Sequence, residues 1–506
     1  MMVYAGLDVG TSGCKLVAYD LDGQEVFAAS RRYAETGGEG RRELDPQLVL
    51  RAVKETLKDA GEHCPQPIRA LSVASIGETV AFLDGNDCPL MNAMLTGDSR
   101  GIPQTGRLIA EKGAQEISEI TGLPPNELYS LPKWMWVNEE TDVLKRTERI
   151  LFFEDLVGYL LTGERKVSYF SAARSLAFDI GKKAWCQELL DMAGIRAEQL
   201  SEPVPPFTVI GTILPEMAKE LCLPADMKVV VGGHDQSCAA FGSGLSGMTT
   251  GECGMGTCEF MFIMLPHRQM TDYMRENDFT CIPYVLEETY LTSLEITTCG
   301  ILKNWARDAL FADIRRECDA KALNFFQEMD RRAASLDTEV MLLPQFGSSG
   351  NPDLSMDAQG VIAGLTIHTR PEEIYRAILE GLAFQNYLAY EKLKPLGVAM
   401  ESITATGGGA ASALALQIRA DVFGMPVRTL KNDESGTLGC MMMAAVADGA
   451  YPDAETAFRR AVGVGREYLP DPARREYYMR KYARYKKLYE LMHAFRTNKP
   501  SEGDDA

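Results

Sequence analysis

The chain has 506 residues, several times the roughly 150 of a typical domain, so two large domains are expected rather than one small module. Hydrophobic residues make up 46% and charged residues 24%, which supplies ample core and excludes a disordered chain. With 52 basic against 71 acidic residues the formal charge is -19, a field that repels nucleic-acid phosphates and anionic membrane surfaces, so neither is an expected partner.

The start, MMVYAGLDVGTSGCK, lacks the basic and apolar regions of a signal peptide, so residue one is expected to belong to the folded protein. Charges interrupt every apolar run well short of the ~20 residues of a membrane-spanning helix. The 12 cysteines are scattered without a C-x-x-C pair and read as reduced thiols of a cytoplasmic protein. Cys253 and Cys258 flank a glycine-rich turn, but no second pair completes a metal site.

From Val3 the pattern predicts a β-meander whose first turn is Gly10-Thr11-Ser12-Gly13, followed by a helix over 48–60 and a strand over 70–75 leading into Gly77-Glu78-Thr79. Residues 101–194 read as largely helical, an insertion over the sheet. A buried-type strand, KVVVGG, covers 228–233 and ends at His234-Asp235. Beyond Gly242 a second meander begins, with its own turn at Gly254-Met-Gly256-Thr257, which predicts an internal duplication. Further on, a strand over 402–406 opens onto Gly407-Gly408-Gly409 and a helix over 413–423. The basic, tyrosine-rich tail from Ala473 is helical by spacing, and packing explains it better than nucleic-acid binding on so acidic a chain.

Asp8-Val-Gly-Thr-Ser places an acid at a strand end and turns N–H groups and two hydroxyls toward whatever lies there, which suits phosphate oxygens. An ordinary hairpin turn is the alternative for this motif taken alone. Lys15 lies just beyond, on the returning strand. None of the three glycine loops matches a Walker or dinucleotide fingerprint, so any phosphate site is hairpin-based. Asp235, at the carboxyl end of its strand, stands where ligand crevices form and where a general base for an alcohol would sit. Alone, the same residue reads equally as a cap for the following helix.

The order Asp8-Val-Gly-Thr-Ser, Gly77-Glu78-Thr79, Asp98-Ser-Arg100, Gly233-His-Asp235-Gln236, Gly256-Thr257 and Gly408-Gly-Ala resembles the FGGY carbohydrate kinases over nearly the whole chain. Gln417-Ile-Arg-Ala-Asp421 and Glu434-Ser-Gly-Thr extend the match. The resemblance implies an α/β fold of two actin-like, ribonuclease-H-like domains flanking an active-site cleft: a sugar-binding half over 1–243, an ATP-binding half over 244–496 and a polar tail over 497–506. It implies ATP and Mg²⁺ as cofactors, a small sugar or polyol as substrate, and a homodimer. By residue, it makes Asp235 the catalytic base and Asp8 and Asp235 the metal side chains. Thr11, Ser12, Lys15, Gly256, Thr257, Gly408, Gly409 and Gln417 would serve ATP, and Gly77, Glu78, Asp98, Asp235 and Gln236 the substrate.

Glycerol kinases resemble this chain at Glu78 and Asp235-Gln236 but carry arginine where Gly77 stands and tryptophan where Thr96 stands. The small residues here are expected to leave room for a longer substrate, a xylulose- or ribulose-like ketopentose or a related polyol. Two rival readings share the fold. One is a catalytically silent sugar- or nucleotide-responsive binding protein. The other is a chaperone-like ATPase, which Glu78, Asp98 and Gln236 disfavour because they suit a small polyhydroxylated ligand.

Overall fold

The computed structural model describes residues 2–38, 40–355, 358–432 and 434–497. The predicted polar tail, beyond its first residue, lies outside the described residues.

The first sheet contains β1 (Val3–Val9), β2 (Gly13–Tyr19), β3 (Glu25–Arg32), β4 (Ile68–Ser75), β5 (Val209–Thr212) and β6 (Lys228–His234), in the order β5-β6-β4-β1-β2-β3. The second contains β7 (Thr250–Met255), β8 (Glu259–Leu265), β9 (Ile282–Pro283), β10 (Tyr290–Ile296), β11 (Ser402–Thr406), β12 (Val427–Leu430) and β13 (Val464–Tyr468), in the order β9-β10-β8-β7-β11-β12-β13. In each, an antiparallel meander (β1-β2-β3; β7-β8-β10) continues through parallel pairings (β1-β4-β6; β7-β11-β12) to an antiparallel edge. The predicted duplication is therefore present strand for strand, save for the short extra strand β9.

Burial on both faces explains the continuous apolar runs of the central strands. Val3, Ala5, Leu7 and Val9 join a core with helix α1 (Pro46–His63), while Tyr4, Val17 and Tyr19 join the large core of the other face. Asp45 caps α1 and Pro46 opens it, which fixes its start two residues ahead of the predicted one. Residues 101–194 are mostly helical, including α2 (Phe153–Thr162) and α3 (Tyr169–Ala173). Short strands run among the helices; Arg149–Phe152 pairs with Val80–Leu83.

Helix α4 (Asp235–Gly242) follows β6, and α5 (Cys299–Trp305) follows β10. In the second half α6 (Pro371–Leu393) packs on α7 (Ala413–Phe423). Helix α8 (Ser435–Ala447) belongs to the second half of the chain yet lies on the first sheet and on α4. The contact is backbone on backbone: a Cβ at Gly6 would sit 2.0 Å from the Thr437 carbonyl, at Gly242 1.8 Å from that of Ser435, and at Gly439 2.0 Å from that of Cys238. Tyr19 and Thr437 share a 2.7 Å hydrogen bond across the same seam, and Tyr4 donates to Asp448 at 2.8 Å.

The terminal helix α9 (Pro472–Thr497) turns its tyrosines inward. Tyr478, Tyr482 and Tyr485 pack on Phe384 of α6, and buried Lys481 donates to Glu380 at 2.5 Å. This is the packing reading, and its aromatic face is not free for a partner.

Candidate active site

Both hairpin turns open at the carboxyl ends of their sheets. In the first, Gly10 N–H donates to Gly13 O at 2.9 Å and leaves Thr11 and Ser12 exposed. Asp8 sits opposite Lys15 in the strand register. Lys15 Nζ lies 2.5 Å from Glu434, which stands one residue before α8, so this cation is already paired. In the second, Gly256 N–H donates to Cys258 O at 2.9 Å, and Thr257 O accepts from Gly300 N at 2.7 Å, which buttresses the turn on α5.

Gly256, Thr257, Gly408 and Gly409 line one cavity of about 410 Å³ together with Lys303, Asp330 and Tyr375. The two loop glycines differ. A Cβ on Gly408 would enter open space, whereas one on Gly409 would stand 2.8 Å from Met255 Cβ and 3.0 Å from its carbonyl oxygen. Gly408 therefore keeps the cavity clear and Gly409 lets the loop close on β7. Gln417 does not line this cavity: its amide donates to Asp421 and to Leu469 O, each at 2.9 Å. Thr11, Ser12 and Lys15 belong to the other half and are not in its wall either.

In the first half, Asp235 opens α4 as its first residue, with His234 in the cap position, so the capping alternative does not describe its side chain. One carboxylate oxygen, Oδ1, accepts from Gln236 N at 2.6 Å and lies 3.1 Å from His234 Nε2. Burial and the Arg174 cation hold His234 well below its usual range, so the ring beside the carboxylate is neutral. Oδ2 is left free. Burial pushes Asp235 up to about 6, against the opposing pull of the Gln236 amide and Arg174. Asp8 is pushed up to about 7, first by burial and then by the negative charges of Asp235 and Glu434. Its Oδ1 is buried with no partner.

Glu78 is buried, accepts from Thr96 at 3.0 Å and pairs with Arg174. Arg174 follows α3, its guanidinium 5.0 Å over the ring of Tyr129. Burial lowers it to about 10, opposed by Glu295 of the second sheet and by Asp235, so it faces both halves. Two substrate expectations need correction. Gly77 leaves no room for a longer substrate, because a Cβ there would stand 2.5 Å from the His234 ring and 3.1 Å from Arg174 Cγ; the space is filled. Asp98 does not face a ligand, because it is fully buried and both oxygens are taken, by Arg100 at 2.8 and 2.7 Å and by Arg42 N at 2.9 Å. Burial alone would raise Asp98, but these donors hold it below the usual range. Arg174, Tyr129, Lys303, Asp330 and Tyr375 were not singled out in the sequence. Tyr129 lies in the loop before a helix and the others in or at the ends of helices, none at a glycine turn or strand end.

A duplicated actin-like fold with glycine turns at a common cleft, an elevated carboxylate in one half and a cavity under the turn of the other is that of a phosphotransferase. The chain belongs to the FGGY family of carbohydrate kinases, whose N-terminal domain matches residues 3–242 and whose C-terminal domain matches residues 251–447. It is 25% identical over 500 residues to a xylulose kinase of Staphylococcus epidermidis, covering 96% of each chain. It is 26% identical over 513 residues to an autoinducer-2 kinase of Klebsiella pneumoniae, covering 97% of this chain and 94% of the other. Among solved structures, a gluconate kinase from Lactobacillus acidophilus superposes with a TM-score of 0.89 at 26% identity, over 97% of this chain and 98% of that one.

Proposed function

We propose that this kinase transfers the γ-phosphoryl group of ATP to a hydroxyl of a neutral ketopentose, xylulose- or ribulose-like, or a related polyol, in the cytoplasm. Residues 1–243 would hold the acceptor and 244–496 the nucleotide. The observation that carries the reading is Asp235: one oxygen held by the Gln236 N–H, the other free, at the mouth of a cleft shared with Asp8. Its elevation to about 6 matches a base working near neutral pH. A neutral acceptor is favoured because the two cations beside these carboxylates, Lys15 and Arg174, are already paired with Glu434 and Glu78. A xylulose kinase among the full-length relatives supports the ketopentose.

The residues fit magnesium and ATP. Asp8 Oδ1 is a buried orphan beside a second carboxylate, and one or two carboxylates plus substrate oxygens are the usual magnesium set. The cavity at Gly408 is one that a side chain would fill. Bound together, ATP and its cation supply the phosphoryl group and neutralise its charge. Asp235 then accepts the acceptor hydroxyl proton at Oδ2, with the Gln236 N–H on Oδ1 fixing its plane. The free amide of Gln236 orients the other hydroxyls, and Glu78 holds Arg174 beside them. The turns at Thr11-Ser12 and Gly256-Thr257 present N–H groups from the two halves, and closing them excludes water from the transfer. ATP turnover with a panel of ketoses, polyols and aldonates tests this: turnover should depend on a neutral sugar. Hydrolysis independent of every sugar, or an aldonate as the best acceptor, would overturn it.

A further inference from the structure

Strand β6 is irregular immediately before the catalytic corner. Against β4, Val230 pairs with Ser72 and Gly233 with Ala74, so Val231 and Gly232 together oppose the single residue Val73. This is a β-bulge, and bulges re-aim the side chains that follow them. The chain here tolerates little else: a Cβ on Gly232 would stand 2.0 Å from Val73 O, and one on Gly233 2.4 Å from the Phe170 ring. The bulge leaves the Gly232 amide outside the ladder. It donates instead to Glu154 Oε1 at 3.1 Å.

Glu154 lies in the first turn of α2 and is 1% exposed. The same carboxylate takes three more donors from the start of α3: Ser168 N at 3.3 Å, Ser168 Oγ at 2.8 Å and Ser171 Oγ at 2.5 Å. Ser168 is the N-cap of that helix and Arg174 its C-cap. One buried carboxylate thus fastens the bulge three residues ahead of Asp235 to the helix that ends in Arg174. A buried carboxylate serving only stability needs donors, but not donors from these two elements.

We infer that Glu154 is a positioning residue, setting the general base and the acceptor-site arginine at a fixed separation. The inference rests on Asp235 and Arg174 facing the acceptor.

The test uses the full chain, with MgATP and the acceptor of highest turnover in the panel above. Glu154→Met keeps the bulk and removes all four acceptor contacts; kcat should fall 10- to 100-fold and the acceptor KM rise several-fold, with the nucleotide KM within twofold. Glu154→Gln keeps an acceptor for the two amides, and both serine hydroxyls can rotate to accept from its NH₂, so kcat should stay within about threefold of wild type. Should E154M fail to fold, Ser168→Ala with Ser171→Ala removes the two hydroxyl contacts to α3 while leaving the Ser168 N–H and Gly232 contacts. That double variant should raise the acceptor KM at least fivefold with kcat within threefold. A lowered unfolding midpoint with unchanged kcat and acceptor KM, in either variant, would reduce Glu154 to a structural role and overturn the inference. Full activity of an Asp235→Asn variant would instead overturn the proposed function, so the two failures are distinguishable.

Discussion

Replacing Asp235 by asparagine separates the chemistry of this corner from its architecture. Asparagine keeps an oxygen for the Gln236 amide at 2.6 Å, so the start of α4 should be undisturbed. It loses the basic Oδ2, and kcat should fall by about 10²–10⁴. Stability should move the other way. Raising a carboxyl from 3.8 to about 6 corresponds to about 3 kcal/mol at about 1.36 kcal/mol per pH unit, but the side chain is 39% exposed to cleft water, which screens it to about 1 kcal/mol. Because the folded-state value is the higher one, wild type carries no penalty below 3.8, where both states are protonated. The penalty grows from 3.8 to about 6 and is complete above that. In chelator, without nucleotide, D235N should therefore unfold at a higher temperature than wild type at pH 8, and the gap should close between pH 6 and 4. For wild type kcat/KM the same sign gives an acidic limb near pH 6, falling tenfold per unit below it, because only ionised Asp235 accepts the proton. The reasoning is refuted if D235N retains more than a tenth of wild-type turnover, or if it is less stable than wild type at pH 8.

The glycine loop should divide cleanly. Gly408→Val projects into the open cavity and should raise the nucleotide KM at least tenfold with the acceptor KM and unfolding midpoint little changed, whereas Gly409→Val strikes Met255 and should lower the midpoint. At the seam between the halves, Gly439→Ala gains about 1 kcal/mol of helix propensity but puts a Cβ 2.0 Å from a carbonyl oxygen that no rotamer change can relieve, so thermal unfolding should show a net loss. Arg419→Met leaves fully buried Glu259, among the described residues, with only Asn386 and the thiols of Cys253 and Cys299 as donors, and urea titration should show a loss of about 3–5 kcal/mol. An unchanged midpoint would refute the claim that the buried pair is held by Arg419.

What the sequence determined by itself is what short-range chemistry dictates. Glycines mark the turns after Asp8 and Met255 and the loop at 407–409 because those backbones need freedom or close approach, and the strand-end Asp235 follows from a continuous apolar run and its end. The second meander was legible because it repeats the first. Tertiary structure alone decided which polar side chains are spent on the protein itself. Asp98 and Gln417 have the right chemistry for ligands, but Arg100 with Arg42, and Asp421 with Leu469, already satisfy them. Gly77 looked like a vacancy until Arg174, 97 positions away, was found in the space beside it. The closure of α8 onto the first sheet depends on Gly6, Gly242 and Gly439 meeting backbone at distant positions. Hydrogen bonding and steric fit act at a few ångströms in space, and a single sequence carries no record of which remote residues will come within that range.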